Sequence, residues 1–314
     1  MNNVVQEMIC QNCGYSIDNA NARFCPRCGA MVTPAIGLGV LDAEYSSLLF
    51  FPRQCDATSG LEATDVAVPG ATVGGLWLER PGSYNVLVFF HGNGEVAADW
   101  AHNAERYAAA LDASVWLVDY RGYGMSDGVP SYDAMLSDAE IVFNALARLE
   151  SMRGRSFRHR FVFGRSLGSA PAIHIAWRFP NQVDALVIDS GFARITELIR
   201  RFRELRKLPA VADAVPTGYF DNIEKLAECG TPTLILHGAA DSLIPIEAAR
   251  RNLEASAAKM KRLVEIPDAG HNDLIFRSRA DNRYFGSIRA FAAGAASGTE
   301  RACNLLPENK EEFA

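Results

Sequence analysis

The 314-residue chain has no long hydrophobic run, and nowhere offers the roughly 18 uninterrupted apolar residues that a bilayer-spanning helix needs. That excludes a transmembrane helix. It also lacks an excess of basic charge. Thirty-one lysines and arginines face 37 aspartates and glutamates, for a net charge of −6, whereas binding to phosphate backbones needs a basic surface. A general nucleic-acid binder is therefore not expected. The opening MNNVVQEMIC has neither the basic start nor the apolar stretch of a secretory leader. Seven cysteines are an odd number, which fits reduced thiols better than disulfides. These absences predict a soluble cytoplasmic protein. No internal repeat is visible. With 49% hydrophobic and 22% charged residues, the chain has the make-up of a globular protein with a substantial core.

Four of the cysteines stand close together, as Cys10-x-x-Cys13 and Cys25-x-x-Cys28, with eleven residues between the pairs. Gly14 and Gly29 follow the pairs and free the backbone to point amides at sulfur. Four thiolates around a tetrahedral Zn²⁺ make a closed structural site with no position left for a reacting water. Rubredoxin-like iron, a redox dithiol and a disulfide pair are the alternatives. Residues 8–30 resemble the short zinc ribbons appended to many microbial proteins. The resemblance implies structural zinc held by Cys10, Cys13, Cys25 and Cys28, and a ribbon that docks a protein partner or stabilises the chain. So small a segment buries too little apolar surface to fold without its metal. Residues 31–44, with one proline and two glycines in MVTPAIGLGV, read as a linker. Cys55, Cys229 and Cys303 share no pattern and read as inert thiols.

Beyond residue 84, short apolar runs alternate with amphipathic stretches. Val86–Phe90, Val115–Val118, Phe161–Phe163, Ala185–Ile188, Thr233–Leu236 and Leu263–Ile266 read as strands buried on both faces. Val96–Leu111, Ser131–Glu150, Ser169–Phe179, Ile246–Lys259 and Asp281–Phe291 read as helices. The rhythm implies βαβ units and an α/β fold around a mostly parallel, doubly wound sheet. Residues 45–80, containing SLLFF, ATDVAV and GGLWLE, predict one to three added antiparallel strands. The polar tail 295–314 predicts disorder.

Ligands bind at the carboxyl ends of strands in such sheets, and this chain puts its polar motifs there. Gly164-Arg165-Ser166-Leu167-Gly168 stands between the strand RFVFG and the apolar SAPAIHIAW. A strand, G-x-S-x-G and a helix make an elbow that holds a serine hydroxyl out at the sheet edge. A hydroxyl becomes a competent nucleophile when a base takes its proton and an acid orients that base. Asp241 in HGAADSLIP and His271 in PDAGHND follow later strands in the order serine, acid, histidine. Asp189 is an alternative acid. Asp119 reads as the organiser of the Tyr120–Gly124 turn, His91 as a brace for its loop, and His237 as structural.

FFHGNGE, VDYRGYGMSDG, FGRSLGSA, LILHGAADSLIP and AGHND, spread over residues 45–294, resemble the α/β-hydrolase superfamily. Within it they are similar to the group of serine aminopeptidase-like proteins and depalmitoylating serine hydrolases. The resemblance implies Ser166 as nucleophile, His271 as base and Asp241 as orienter. It implies an oxyanion hole made by the backbone N–H groups of Asn93 and Leu167, and no catalytic metal. The expected substrate is an acyl-bearing small molecule, cleaved as an ester or thioester. A peptidase or amidase, and a catalytically silent zinc-ribbon interaction protein, are the rival readings. Residues 192–222 stand where this superfamily inserts its cap. There Ile195, Leu198, Ile199, Phe202, Leu205 and Leu208 keep helical spacing, and six basic residues face two acidic ones between Arg194 and Lys207. That stripe reads as a lid, with peripheral membrane contact through 194–208 as the second reading.

Overall fold

The structure is a computed structural model, and it describes residues 8–9, 16–17, 46, 49–55, 60–201 and 221–297. The chain separates into two compact units, Met1–Tyr45 and Ser46–Ala314. In the first, β1 (Met8–Ile9) pairs antiparallel with β2 (Ser16–Ile17), Met8 opposite Ile17. The four N-terminal cysteines, most of the predicted cap and the tail beyond residue 297 lie outside the described residues.

The second unit is built on one eight-stranded sheet. Its strands are β3 (Glu62–Val68), β4 (Ala71–Leu78), β5 (Asn85–Phe90), β6 (Ser114–Val118), β7 (His159–Arg165), β8 (Ala185–Asp189), β9 (Thr233–Gly238) and β10 (Lys261–Ile266). They lie in the order β10-β9-β8-β7-β5-β6-β4-β3. β10 through β6 run parallel, and β4 and β3 join antiparallel at the β6 edge. β3 and β4 form a hairpin in which Pro69-Gly70 closes Val68 on Ala71. Gly70 supplies the positive φ of 75° that the turn demands. The parallel strands are apolar along their length because helices cover both faces. On one face, the helix Ala97–Leu111 buries Ala104, Tyr107, Ala108 and Leu111 at helical spacing. They pack with Tyr284, Phe285, Ile288 and Phe291 of the helix Arg283–Ser297 around Phe89 and Phe163, whose rings stack at 4.7 Å. Truncating Phe163 to alanine there would cost about 3–5 kcal/mol.

Some predicted boundaries move for local reasons. The helix foreseen over Ser131–Glu150 is two, Tyr132–Asn144 and Leu146–Met152; Ala145 between them keeps right-handed angles, so the helical backbone carries through the join. The helix from Ile246 ends at Ala255, where Ser256 turns extended with ψ 125°. SLLFF gives no strand among its described residues: Leu49 is helical, and the Phe50 N–H donates to the Ser46 carbonyl at 2.9 Å. No helix among the described residues is long and apolar enough to cross a membrane.

Candidate active site

β7 lies inside the sheet, between β8 and β5, and delivers Ser166 at its carboxyl end. The chain must reverse there within a residue, and Ser166 takes φ 49°, a left-handed conformation costly for a residue with a Cβ. The flanking glycines answer to a second demand. A Cβ on Gly164 would lie 2.3 Å from the Gly168 carbonyl oxygen, and one on Gly168 2.2 Å from that of Phe90. The elbow is thus clamped between its own helix and the neighbouring strand, and the Ser169 hydroxyl donates to the Ser166 carbonyl at 2.6 Å.

Three sequence-predicted side chains meet at this elbow. Ser166 Oγ is 2.9 Å from His271 Nε2, and His271 Nδ1 is 2.7 Å from Asp241 Oδ2. An ionised carboxylate only accepts, so Nδ1 carries the proton and Nε2 is left to accept from the serine. Asp241 Oδ1 accepts from the backbone N–H groups of Leu243 and Ile244 at 2.9 and 2.8 Å. Burial alone would raise the Asp241 carboxyl. The hydrogen bond and charge of His271, the Ile244 N–H and His237 outweigh it and hold the carboxyl below its ordinary range. His237 Nε2 donates to the Ile244 carbonyl at 2.8 Å and lies 3.5 Å from Asp241 Oδ2. Asp189 is not the partner of His271: it accepts from Tyr284 Oη at 2.6 Å and Ser190 Oγ at 2.7 Å. Asp119 accepts from the Ala97 N–H at 2.8 Å and the Met125 N–H at 3.3 Å, and His91 Nδ1 donates to the Gly92 carbonyl.

Asn93 and Leu167 stand with Ser166 and His271 in the wall of a cavity of about 230 Å³. The Asn93 side chain is fully engaged in holding its loop. Its amide donates to the Leu49 carbonyl at 2.6 Å, and its oxygen accepts from the Phe51 N–H at 2.9 Å and Tyr123 Oη at 2.7 Å. The rest of the wall is largely apolar, including Leu49, Phe50, Phe51, Ile195, Leu198 and Leu243. The described residues of SLLFF, one of the runs from which one to three strands are expected, are therefore cavity lining. Of the basic stripe, Arg194 is neutralised by Asp221 at 2.9 Å, and Glu197 pairs with Arg251.

Sequence reasoning missed Arg165, the variable residue of the elbow motif. It is buried, and it joins three loops. Its guanidinium reaches Asn272 Oδ1 at 2.6 Å, the His271 carbonyl at 3.2 Å and Glu95 Oε1 at 3.2 Å. Glu95 Oε2 in turn accepts from the Gly92 N–H at 2.7 Å and Trp100 Nε1 at 3.0 Å. G-x-S-x-G carries no signal for this, since x is unconstrained in the pattern.

A family described as serine aminopeptidase, S33 matches residues 83–224. An uncharacterised Mycobacterium tuberculosis protein is 32% identical over 268 residues, covering 79% of this chain and 90% of that one. The chain belongs to the α/β-hydrolase superfamily. It is also similar to the alpha/beta hydrolase domain-containing protein 17C of Xenopus laevis, at 28% identity over 62% of this chain and 58% of that one. The fold matches that of a Pyrococcus furiosus esterase with TM-score 0.59 and 18% identity, over 75% of this chain and 96% of that structure. This α/β-hydrolase is an enzyme of the hydrolase class, and it carries at its N-terminus a segment, residues 9–32, that matches the zinc-ribbon domain family. Cys10, Cys13, Cys25 and Cys28 all fall inside that match. The first C-x-x-C falls between β1 and β2 in sequence, and a donor set of four thiolates is one that suits Zn²⁺.

Proposed function

We propose that this hydrolase cleaves carboxylic ester or thioester bonds through an acyl-enzyme. The observation that carries the reading is the unbroken relay Ser166–His271–Asp241, with contacts of 2.9 and 2.7 Å, ending on a serine held in a left-handed elbow. Ser166 Oγ attacks the carbonyl carbon while His271 Nε2 takes its proton. Asp241 keeps the imidazole in the accepting tautomer and stabilises the imidazolium that forms. The tetrahedral oxyanion is received by the backbone N–H groups of Asn93 and Leu167; removing one such donor typically costs about 10²–10³ in rate. His271 then protonates the leaving atom, and water repeats the sequence to free the acid. Arg165 and Glu95 act as positioning residues, since they tie the serine elbow to the histidine and oxyanion loops. The apolar wall favours an apolar acyl group.

The description of the matching family favours a second reading, amide cleavage by an aminopeptidase. An aminopeptidase needs a free carboxylate for the substrate ammonium. The carboxylate in this cavity, Glu95, is already engaged by Arg165, Gly92 and Trp100. A panel of p-nitrophenyl esters, acyl thioesters and aminoacyl amides separates the readings. Ester or thioester turnover that rises with acyl apolarity is expected; turnover confined to the amides would overturn the ester reading. Complete inertness would favour the silent interaction protein.

We also infer that Cys10, Cys13, Cys25 and Cys28 hold a structural Zn²⁺, which when bound would cross-link the ribbon and take no part in acyl transfer. Titration of the native protein with a thiol-modifying mercurial should release zinc to a chromogenic chelator, and substitution of Cys25 by serine should abolish the release. Release unchanged in that variant would overturn the assignment.

A further inference from the structure

We propose that a second cleft, on the histidine side of the Arg165–Glu95 pair, is a subsite for an anionic leaving group: an alcohol or thiol bearing a carboxylate or a phosphate. The proposal rests on the acyl-transfer reading above and names the substrate half that reading leaves open.

Two cavities meet at His271. The apolar one of about 230 Å³ contains Ser166 and Leu167. The other, of about 690 Å³, contains His271 but not Ser166, and Arg165 and Glu95 stand in the walls of both. In acyl transfer the Oγ–C bond forms on the serine side. The C–O or C–S bond then breaks as the proton taken from Ser166 passes from His271 to the departing atom. The leaving group therefore lies beside the imidazole, which lines both cavities, and the larger cleft is the one that continues from His271 away from Ser166.

The cleft carries a local excess of positive charge. Of its carboxylates, Glu95 is paired with Arg165 and Asp99 with Arg53, and the buried Asp189 accepts from the neutral hydroxyls of Tyr284 and Ser190. Arg106 and Arg279, which also line it, have no acidic partner among the described residues. Most arginines elsewhere do have one, such as Arg121 with Asp138, Arg155 with Glu79 and Arg251 with Glu197. Arg148, Arg158 and Arg289 lack such a partner too, but they line neither cavity. Each cleft guanidinium is also held by a ring face. Arg106 lies 4.2 Å from the centroid of Phe285, and Arg279 5.2 Å from that of Phe276. A cation held over a ring in this way turns N–H groups toward the planar oxygens of a carboxylate or phosphate; Arg106 Nη1 already donates to Asn103 Oδ1 at 3.3 Å, which leaves its other N–H groups for an anion. In a chain of net charge −6, the two unpaired guanidiniums outnumber the one carboxylate of the cleft without a cation, Asp189, and the excess creates a local field that attracts anions.

The test uses two matched pairs of octanoyl substrates: o-nitrophenyl octanoate against 4-nitro-3-(octanoyloxy)benzoate, and the thioester of pantetheine against that of phosphopantetheine. The first pair adds a carboxylate to the leaving group and the second a phosphate, so the two anion sources are distinguished. Wild-type enzyme should prefer the anionic member of at least one pair through a lower KM. In the Arg106→Gln, Arg279→Gln double variant, the ratio of anionic to neutral kcat/KM should fall by about tenfold. In the unsubstituted enzyme the ratio should shrink as ionic strength rises from about 0.02 to 0.5 M, a readout that depends on no variant. A ratio indifferent to charge, to salt or to the two arginines would overturn the subsite. So would labelling by a fluorophosphonate with no turnover of any of the four substrates. An enzyme that is inert and also unlabelled would overturn the hydrolase reading itself, and the subsite with it.

Discussion

Two neighbouring strands of this sheet end in almost the same way. β7 ends at Arg165 and β8 at Asp189, residues opposite each other in register, and each is followed by a serine in the left-handed region, Ser166 at φ 49° and Ser190 at φ 52°. Both serines are buried and both have a glycine close by. Ser166 Oγ meets the imidazole of His271 at 2.9 Å, whereas Ser190 Oγ donates to the carboxylate of Asp189, its own neighbour, at 2.7 Å. Backbone strain at a strand end is therefore not what marks a nucleophile. The difference is the partner: a base that accepts the proton, or a carboxylate that only fixes the hydroxyl in place.

Ser166→Ala should lower ester turnover by about 10⁴-fold or more while the protein stays folded, and Asp241→Asn should come close to it by leaving His271 in the wrong tautomer. Steady-state kinetics beside circular dichroism would measure both, and an active Ser166→Ala enzyme would erase the contrast. Arg165→Met should reduce kcat by about 10- to 100-fold with little change in KM, because it loosens the alignment of three loops. Arg165→Lys should recover part of that loss, and a change confined to KM would contradict a positioning role.

The helix that follows Ser166 carries a pH-dependent term of its own. His174 is fully buried and bonded to Glu140 at 2.8 Å. Burial, and then the charge of Lys225, push its pKa down from 6.5 to about 4. The unfolded chain therefore binds the proton before the folded one does, and stability falls as pH drops from about 6.5 towards 4. The loss amounts to roughly 2–3 kcal/mol over that window. Urea midpoints at pH 7 and pH 5 should differ in that direction, and His174→Gln should flatten the dependence. The smallest effect belongs to Ser190→Ala. Activity should stay within about twofold, and stability should fall by about 1 kcal/mol for the lost hydrogen bond, read from thermal unfolding.

The reason for the contrast was only partly legible in the sequence. Six apolar runs became the six parallel strands, because strands covered on both faces read as continuous hydrophobic stretches. The order Ser166, Asp241, His271 was visible because each residue follows such a run within a glycine-marked loop. Asp189 ends a strand in the same manner, and sequence could not remove it as an alternative acid. What occupies it is Tyr284, 95 residues further on, through a buried hydrogen bond that no local pattern encodes. Arg165 was invisible for the same reason: its partners Glu95 and Asn272 are 70 residues before and 107 residues after it. Of the one to three strands expected over residues 45–80, two form, β3 and β4; SLLFF gives none among its described residues, because an apolar cavity wall and a buried strand share one composition and only strand pairing tells them apart.

The central claim is that Ser166 is the nucleophile because His271 and Asp241 activate it. The most direct measurement is to label the purified protein with a fluorophosphonate and map the adduct by peptide mass spectrometry. The account predicts a single adduct on the peptide containing Ser166, absent in Ser166→Ala, much slower to form in Asp241→Asn and unchanged in Ser190→Ala. An adduct on Ser190 or another serine, or none on the folded wild-type protein, would contradict it.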